Sequence, residues 1–162
     1  MSASKVRIRR AERGDLPALG RMGALLMRAH HAFDRDRFMA PGTKPEDGYA
    51  SFLGTQLSAP DVVVLVADRD GDVIGYVYAG IEPQSWKELR DEAGFIHDIV
   101  VEERGRRMGI ASALIEAVIA WCRERHMPRV LLCTSPHNVS AQALFARVGF
   151  RKTMIEMTRE IQ

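Results

Sequence analysis

The stretch from Phe95 to Cys122 constrains the fold most, because it joins a strand pattern to a helix pattern through a short basic turn. Phe95-Ile96-His97-Asp98-Ile99-Val100-Val101 is rich in β-branched residues and follows Gly94, which is how a strand reads. From Ile110 to His126 the apolar residues fall at 110, 113, 114, 117, 118, 121 and 122, the period of an amphipathic helix. The first N–H groups of a helix lack partners within it, and the aligned peptide dipoles leave partial positive charge there. With Arg104, Arg106 and Arg107 close by, a phosphate or pyrophosphate is the natural guest of this turn.

The turn has neither the G-x-x-x-x-G-K-S/T of a P-loop nor the G-x-G-x-x-G of a dinucleotide fold. It reads R-x-x-G-x-A at Arg106, Gly109 and Ala111. A second element reads N-x-x-A-x-x-L-F-x-x-x-G-F at Asn138, Ala141, Leu144, Phe145, Gly149 and Phe150, after a strand pattern at Val130 to Thr134. In these two elements, so ordered, the chain resembles the GNAT superfamily of acetyl-CoA-dependent N-acetyltransferases. The resemblance spans essentially the whole chain, with its specific motifs between residues 95 and 150.

The resemblance implies an α/β (α+β) fold. It would have a mixed, mostly antiparallel sheet flanked by helices, with strands 95–101 and 129–134 splayed to admit the acyl-pantetheine. Acetyl-CoA is then the cosubstrate, with no metal. Carried over, backbone groups of Ile99, Val100 and Val101 bond the pantetheine amides. The N–H groups of Arg106, Arg107, Met108, Gly109, Ile110 and Ala111 hold the pyrophosphate. Many relatives carry Gly at the position of Arg107, whose side chain here can add a charge-assisted contact. Asn138 matches the family's Asn near the pantetheine arm and equally suits a plain helix N-cap. Phe145 falls in the cofactor-binding element where the family often places a Tyr that protonates the departing thiolate. Its ring has no hydroxyl and its spacing with Ala141, Leu144 and Val148 suits a core. The chain's tyrosines, Tyr49, Tyr76 and Tyr78, all lie upstream.

Acetyl transfer to an amine needs a base. An alkylammonium with pKa about 10.4 must lose its proton before attack, which costs roughly 4.6 kcal/mol at pH 7. His97 is the candidate catalytic residue, since its free pKa near 6.5 suits proton relay and resembling enzymes often carry Glu or His on this strand. Asp98 would point to the opposite face of a regular strand, to orient a neighbour or face solvent. The segments His30 to Phe38 and Pro83 to Glu92 match the parts that line acceptor sites in this fold. Their carboxylates with Phe38 and Trp86 could hold a cationic amine. A small-molecule or amino-acid amine is the first expected acceptor and a protein N-terminus or lysine the second. A non-catalytic acyl-CoA sensor is the reading from another class.

The remaining sequence sets limits. A chain of 162 residues suits a single domain over 1–162. A net charge of +2, without a separate basic block, does not suggest nucleic acid. The apolar runs Val62 to Ala67 and Val73 to Ile81 fall short of the ~18 residues of a membrane span. No apolar signal region opens the chain. Cys122 and Cys133 have no metal spacing and read as buried thiols of a cytoplasmic protein. A homodimer is left open.

Element by element, Val6 to Arg9 alternates as a first strand. Asp15 and Pro17 open a helix through about His31, and Thr43 to Glu46 has capping-box spacing for a helix ending before Pro60. Asp70-Gly71 signals a hairpin between the two apolar runs. Residues 82–92 read as a loop or short helix. After the central strand and long helix come a strand at 129–134, a helix near 138–148 and a final strand within 150–161.

Overall fold

A computed structural model describes residues 5–161. Its strands are β1 (Val6–Arg10), β2 (Val62–Arg69), β3 (Asp72–Glu82), β4 (Ala93–Val101) and β5 (Val130–Leu132). Its helices are α1 (Leu16–Phe33), α2 (Pro45–Gln56), α3 (Ile110–Glu124) and α4 (Val139–Arg147). One sheet runs in the order β1-β2-β3-β4-β5 and is antiparallel except for the last pair. The fold is therefore the mixed, mostly antiparallel sheet with flanking helices that the motifs imply.

Local chemistry explains the central hairpin. Asp70 and Gly71 form its two-residue turn with φ of 54° and 89°, the left-handed pair that matches strand twist. Asp68 Oδ1 accepts from Gly71 N–H at 2.7 Å. The run Val62 to Ala67 is continuously apolar because both of its faces are covered. Val63, Leu65 and Ala67 meet one layer, while Val64 and Val66 meet the other. The first layer is α3 and α4, contributing Ile110, Leu114, Ile115, Val118 and Phe145. The second is α1 and α2, contributing Leu19, Met22 and Leu53.

The parallel pairing of β4 with β5 is short: Gly94 with Val130, Phe95 with Leu131 and Ile96 with Leu132. From His97 to Val101, β4 continues with no strand on that side, so its backbone groups pointing away from β3 lack a strand partner. This is the opening between the last two strands of the sheet.

Several expectations are corrected. No strand forms within 150–161, and every residue of 151–161 is exposed. Cys122 is buried but Cys133, just beyond β5, is exposed. The Thr43 capping box is not made; Lys44 holds the N-cap position of α2 without a side-chain bond. Asp15 precedes α1 but does not cap it with its carboxylate. That group accepts from Arg9 at 2.7 and 2.9 Å and from Glu12 N–H at 2.8 Å. A cation in reach outcompeted the free helix amides, since charge-assisted bonds are the stronger kind. Burial opposes but does not reverse the result: the Arg9 guanidinium holds Asp15 below the usual carboxylate range. Beyond β3, residues 83–92 form a loop, one of the two expected forms, closed by paired backbone bonds between Ser85 and Arg90 at 2.8 and 3.0 Å.

Candidate functional site

The turn between β4 and α3 is built to expose backbone amides. Glu102 N–H bonds Ile74 O at 2.9 Å, and a 3-10 turn follows at Glu103–Gly105. Gly105 is buried; a Cβ there would come within 3.1 Å of Val101 and 3.2 Å of Ile110. Gly109 caps α3 in the left-handed region at φ 73°. Its carbonyl accepts from Ala113 N–H at 3.0 Å. The amides from Gly109 to Ser112 therefore precede the helix's own ladder and point outward from its first turn.

The three arginines of the turn differ. Arg104 is committed, bonding both oxygens of Asp72 and, at 2.6 Å, Glu102. It ties the turn to the start of β3. Arg106 and Arg107 are exposed and carry no ion pair among the described residues. Arg107 sits at φ 63°, a left-handed conformation that costs a side-chain-bearing residue about 1–2 kcal/mol.

The second half of the site comes from an irregularity in β4. Tyr78 pairs with Asp98 but Ala79 pairs with Ile96, so His97 is an extra residue, a β-bulge. The bulge breaks alternation and turns His97 and Asp98 to the same face, that of α1 and α2. The sequence expectation for Asp98 is overturned: it is only 9% exposed. Its Oδ2 accepts from Tyr49 at 2.8 Å and from Tyr76 at 3.0 Å. Burial pushes the Asp98 carboxyl up, while the two phenols and the nearby His97 and His30 partly offset that rise. Burial and the Asp98 charge raise both phenols as well.

His97 lies between two rings, stacked on Phe95 at 4.8 Å and tilted against Tyr78 at 4.9 Å. Its Nε2 is 3.0 Å from Glu82 Oε1. Tyr78 in turn donates to Gln56 at 3.2 Å, and Phe52 packs edge-on against Tyr78 at 5.7 Å. Thus α2, β3 and β4 converge on one polar cluster. The close approach of α2 follows from small residues on α1. A Cβ on Gly20 would come within 2.5 Å of Glu46 O, and one on Gly23 within 2.0 Å of the Tyr49 ring.

Other sequence candidates fall into place around these halves. Ile99, Val100 and Val101 line the unpaired edge of β4, and Met108, Ile110 and Ala111 flank the amide turn. Asn138 is the N-cap of α4, its Oδ1 accepting from Ala141 N–H at 3.2 Å. Phe145 is buried in the α3/α4 core, 6.0 Å from Phe150. Sequence reasoning passed over Tyr49, Tyr78 and Glu82. The glycines Gly20 and Gly23, one helical turn apart, were the available signal for α2 packing closely.

The proposed acceptor segments are largely self-satisfied. Asp34 Oδ1 accepts from Asp36 and Arg37 N–H, each at 3.1 Å, and His31 Nδ1 lies 3.1 Å from Phe38 O. Arg37 stands over Phe38, 5.0 Å from the ring centre, and pairs with Glu156. Glu88 is taken by Arg90 at 2.8 Å. Trp86 remains 84% exposed.

Comparison with known proteins adds the following. Residues 26–150 match the profile of the Acetyltransferase (GNAT) family. N-acetyltransferase 8 of Homo sapiens is 34% identical over 88 residues, covering 54% of this chain and 38% of that protein. The match thus spans well under half the length of the human protein. An aminoglycoside N(6')-acetyltransferase type 1 of Klebsiella aerogenes is 25% identical over 101 residues, 62% of this chain and 66% of that one. Among solved structures, an aminoglycoside N-acetyltransferase in complex with CoA shares the fold with a TM-score of 0.78. The identity is 22%, over 99% of this chain and 97% of that chain.

Proposed function

Because the chain belongs to the GNAT acetyltransferase family, we propose that it moves an acetyl group from acetyl-CoA to the primary amine of a small molecule or amino acid, by direct attack in a ternary complex. The cofactor's pyrophosphate is held by backbone amides of Arg107 to Ala111, with the side chains of Arg106 and Arg107 adding charge; the Arg106 N–H is itself taken by Glu103 O at 3.1 Å. The open edge of β4 at Ile99 to Val101 takes the pantetheine arm. From Val101 back to His97 is about 13 Å at ~3.3 Å per residue. That distance carries the thioester from the turn to the polar cluster. Asn138 and Phe145 flank the arm from the α4 side, Asn138 through whatever capacity its capping bond leaves.

His97 takes the amine proton. The amine nitrogen then attacks the thioester carbonyl, the C–S bond breaks, and CoA leaves as thiolate. With Nε2–H donated to Glu82, Nδ1 is the free acceptor. Phe145 offers no acid to the thiolate. A thiol of pKa near 8.5 leaves without one. The observation that carries this reading is the bulge at His97, which sets a titratable ring beside Glu82 at the end of an unpaired strand edge. A small acceptor is supported by the relative whose name gives an aminoglycoside.

The test is thiol release from acetyl-CoA across a panel of aminoglycosides, amino acids and peptide N-termini, alongside calorimetric titration with CoA. Turnover with a free small amine is the expected result. Preference for peptide N-termini would redirect the acceptor. CoA binding without turnover on any amine would favour the non-catalytic sensor, the reading that the missing phenol at Phe145 keeps in play.

A further inference from the structure

Asp15, Asp68 and Asp98 are the buried carboxylates of the described chain. The first two have a cation in contact: Arg9 reaches Asp15 at 2.7 Å and Asp68 at 2.8 Å. Asp98 has no such partner among the described residues. Its bonds come from the phenols of Tyr49 and Tyr76, and both end on Oδ2. The second oxygen, Oδ1, is left without a hydrogen bond. Trp121 Nε1 is the one buried side-chain atom without a partner among the described residues, so Oδ1 is not sealed in. It reaches the small surface that Asp98 keeps.

A buried charge is stable only when it is paired or bound to a metal, because water no longer solvates it. Two phenols donate to Asp98 without bringing charge, and burial still favours its neutral acid. The core alone would be served as well by Asn, whose carbonyl accepts the same two bonds. A metal is a poor complement, since no group of three His, Cys, Asp or Glu that could hold one forms among the described residues. A primary ammonium asks less: it has three N–H donors and no fixed coordination geometry. Acceptors stand near Asp98 to receive it. The bulge sets His97 on the same face, with Nε2 3.0 Å from Glu82 and Nδ1 free. His30 of α1 is also near, and its Nδ1 donates to Leu26 O at 2.9 Å, which leaves Nε2 as an acceptor.

We propose that Asp98 binds the acceptor: its Oδ1 receives the primary ammonium beside His97, so that the amine enters the site charged. The inference rests on the acetyl-transfer reading above and narrows its substrate class to amines that are protonated near neutral pH. An alkylammonium of pKa about 10.4 is almost wholly charged there. The anchor does not oppose loss of the proton, because the proton passes to His97, a second neighbour of Asp98. The carboxylate faces an ammonium before the transfer and an imidazolium after it, and its attraction acts on both.

Asp98→Asn keeps an acceptor for the phenols and removes the charge. With the best amine of the panel above it should raise KM by about 10- to 100-fold, the range for a lost bond to a charged group. The acetyl-CoA Kd should not change and thermal stability should not fall. Hydroxylamine, mostly uncharged near neutral pH, supplies the comparison once the enzyme-free reaction is subtracted. Its kcat/KM should fall at least about tenfold less than that of the amine. An unchanged amine KM in the folded variant would overturn the inference. Equal losses for the amine and hydroxylamine would do so too, by making Asp98 structural. A natural chain that binds CoA but acetylates no amine defeats the acetyl-transfer reading, and the anchor with it, before any variant is made. Should Asp98→Asn fail to fold, Asp98→Ser is read in the same way. Failure of both to fold also overturns the inference, since the carboxylate would then be holding the core.

Discussion

The two ends of β4 make different demands. At its C-terminal end, the turn into α3 presents backbone amides, arranged by Gly105, Gly109 and a short 3-10 turn. At its middle, the bulge presents side chains: His97 and Asp98, backed by Tyr49, Tyr76, Tyr78 and Glu82. The first is local, contiguous in sequence and tolerant of side-chain identity wherever the amide is what counts. The second draws on three elements and fails if any one of them shifts. Cofactor capture and proton handling should therefore be separable by mutation.

The largest effect should fall on the turn. Gly109→Glu adds a side chain at φ 73° and a negative charge where the pyrophosphate would lie. Acetyl-CoA affinity should drop by about 100-fold or more, roughly 2.7 kcal/mol. Calorimetry on a variant shown to be folded checks it, and an unchanged Kd would remove the turn from the cofactor site. His97→Ala should do the reverse, leaving that Kd intact while lowering kcat by about 10²-fold near neutral pH. Activity should recover partly as pH rises and the amine deprotonates unaided. A pH–rate profile that keeps its shape would make His97 structural.

Gly23→Ala probes the cluster from behind, since its Cβ would meet the Tyr49 ring at 2.0 Å. Overpacking of this kind costs about 1–3 kcal/mol. Thermal unfolding should show that loss and kcat should fall with it, at an unaltered acetyl-CoA Kd. If affinity falls as much as kcat, the two halves of the site are not separable. Asp98→Asn tests the buried carboxylate. Burial raises its carboxyl, so the folded chain disfavours the ion more than the unfolded chain does. That group's contribution to stability is greatest below the unfolded pKa near 3.9 and declines as pH climbs toward the folded value. As pH rises from 4 toward 7 the variant should gain in Tm relative to the natural chain. A relative loss over that window would show the ion is stabilised after all.

The smallest effect belongs to Arg107→Gly. Relief of the left-handed strain, about 1–2 kcal/mol, is partly offset by glycine's entropy, roughly 0.5–1 kcal/mol. Chemical denaturation should show a net gain of up to about 1 kcal/mol. A loss would mean the Arg107 side chain holds the turn together.

The turn was legible in the sequence for the reason that it is local: its glycines, its arginines and the helix period all lie within twenty residues. So was the hairpin at Asp70-Gly71, where two adjacent residues set the geometry. The polar cluster was not. Tyr49 reaches Asp98 only because Gly20 and Gly23 let α2 settle against α1, a contact between segments that no window of sequence contains. Asp98 was assigned by alternation, which fails at a bulge. The tail misled in the opposite way: its residue types favour a strand, but the described chain offers it no ladder.

The bulge also sets a counting rule for the strand. Ile96, Ile99 and Val101 all pack toward α3, although the step from 96 to 99 is odd and the step from 99 to 101 is even. One surplus residue is thus a phase shifter between two registers, each correct for its own end of β4. Delete His97 and the two registers become one: Asp98 follows Ile96 directly, and Ala79↔Ile96, Tyr78↔Asp98 and Val77↔Ile99 become consecutive pairs of a regular ladder. Ile96, Ile99 and Val101 would then share the α3 face by plain alternation. The surplus residue is thus not needed by the core, and deleting it would straighten the strand while removing the ring from the site.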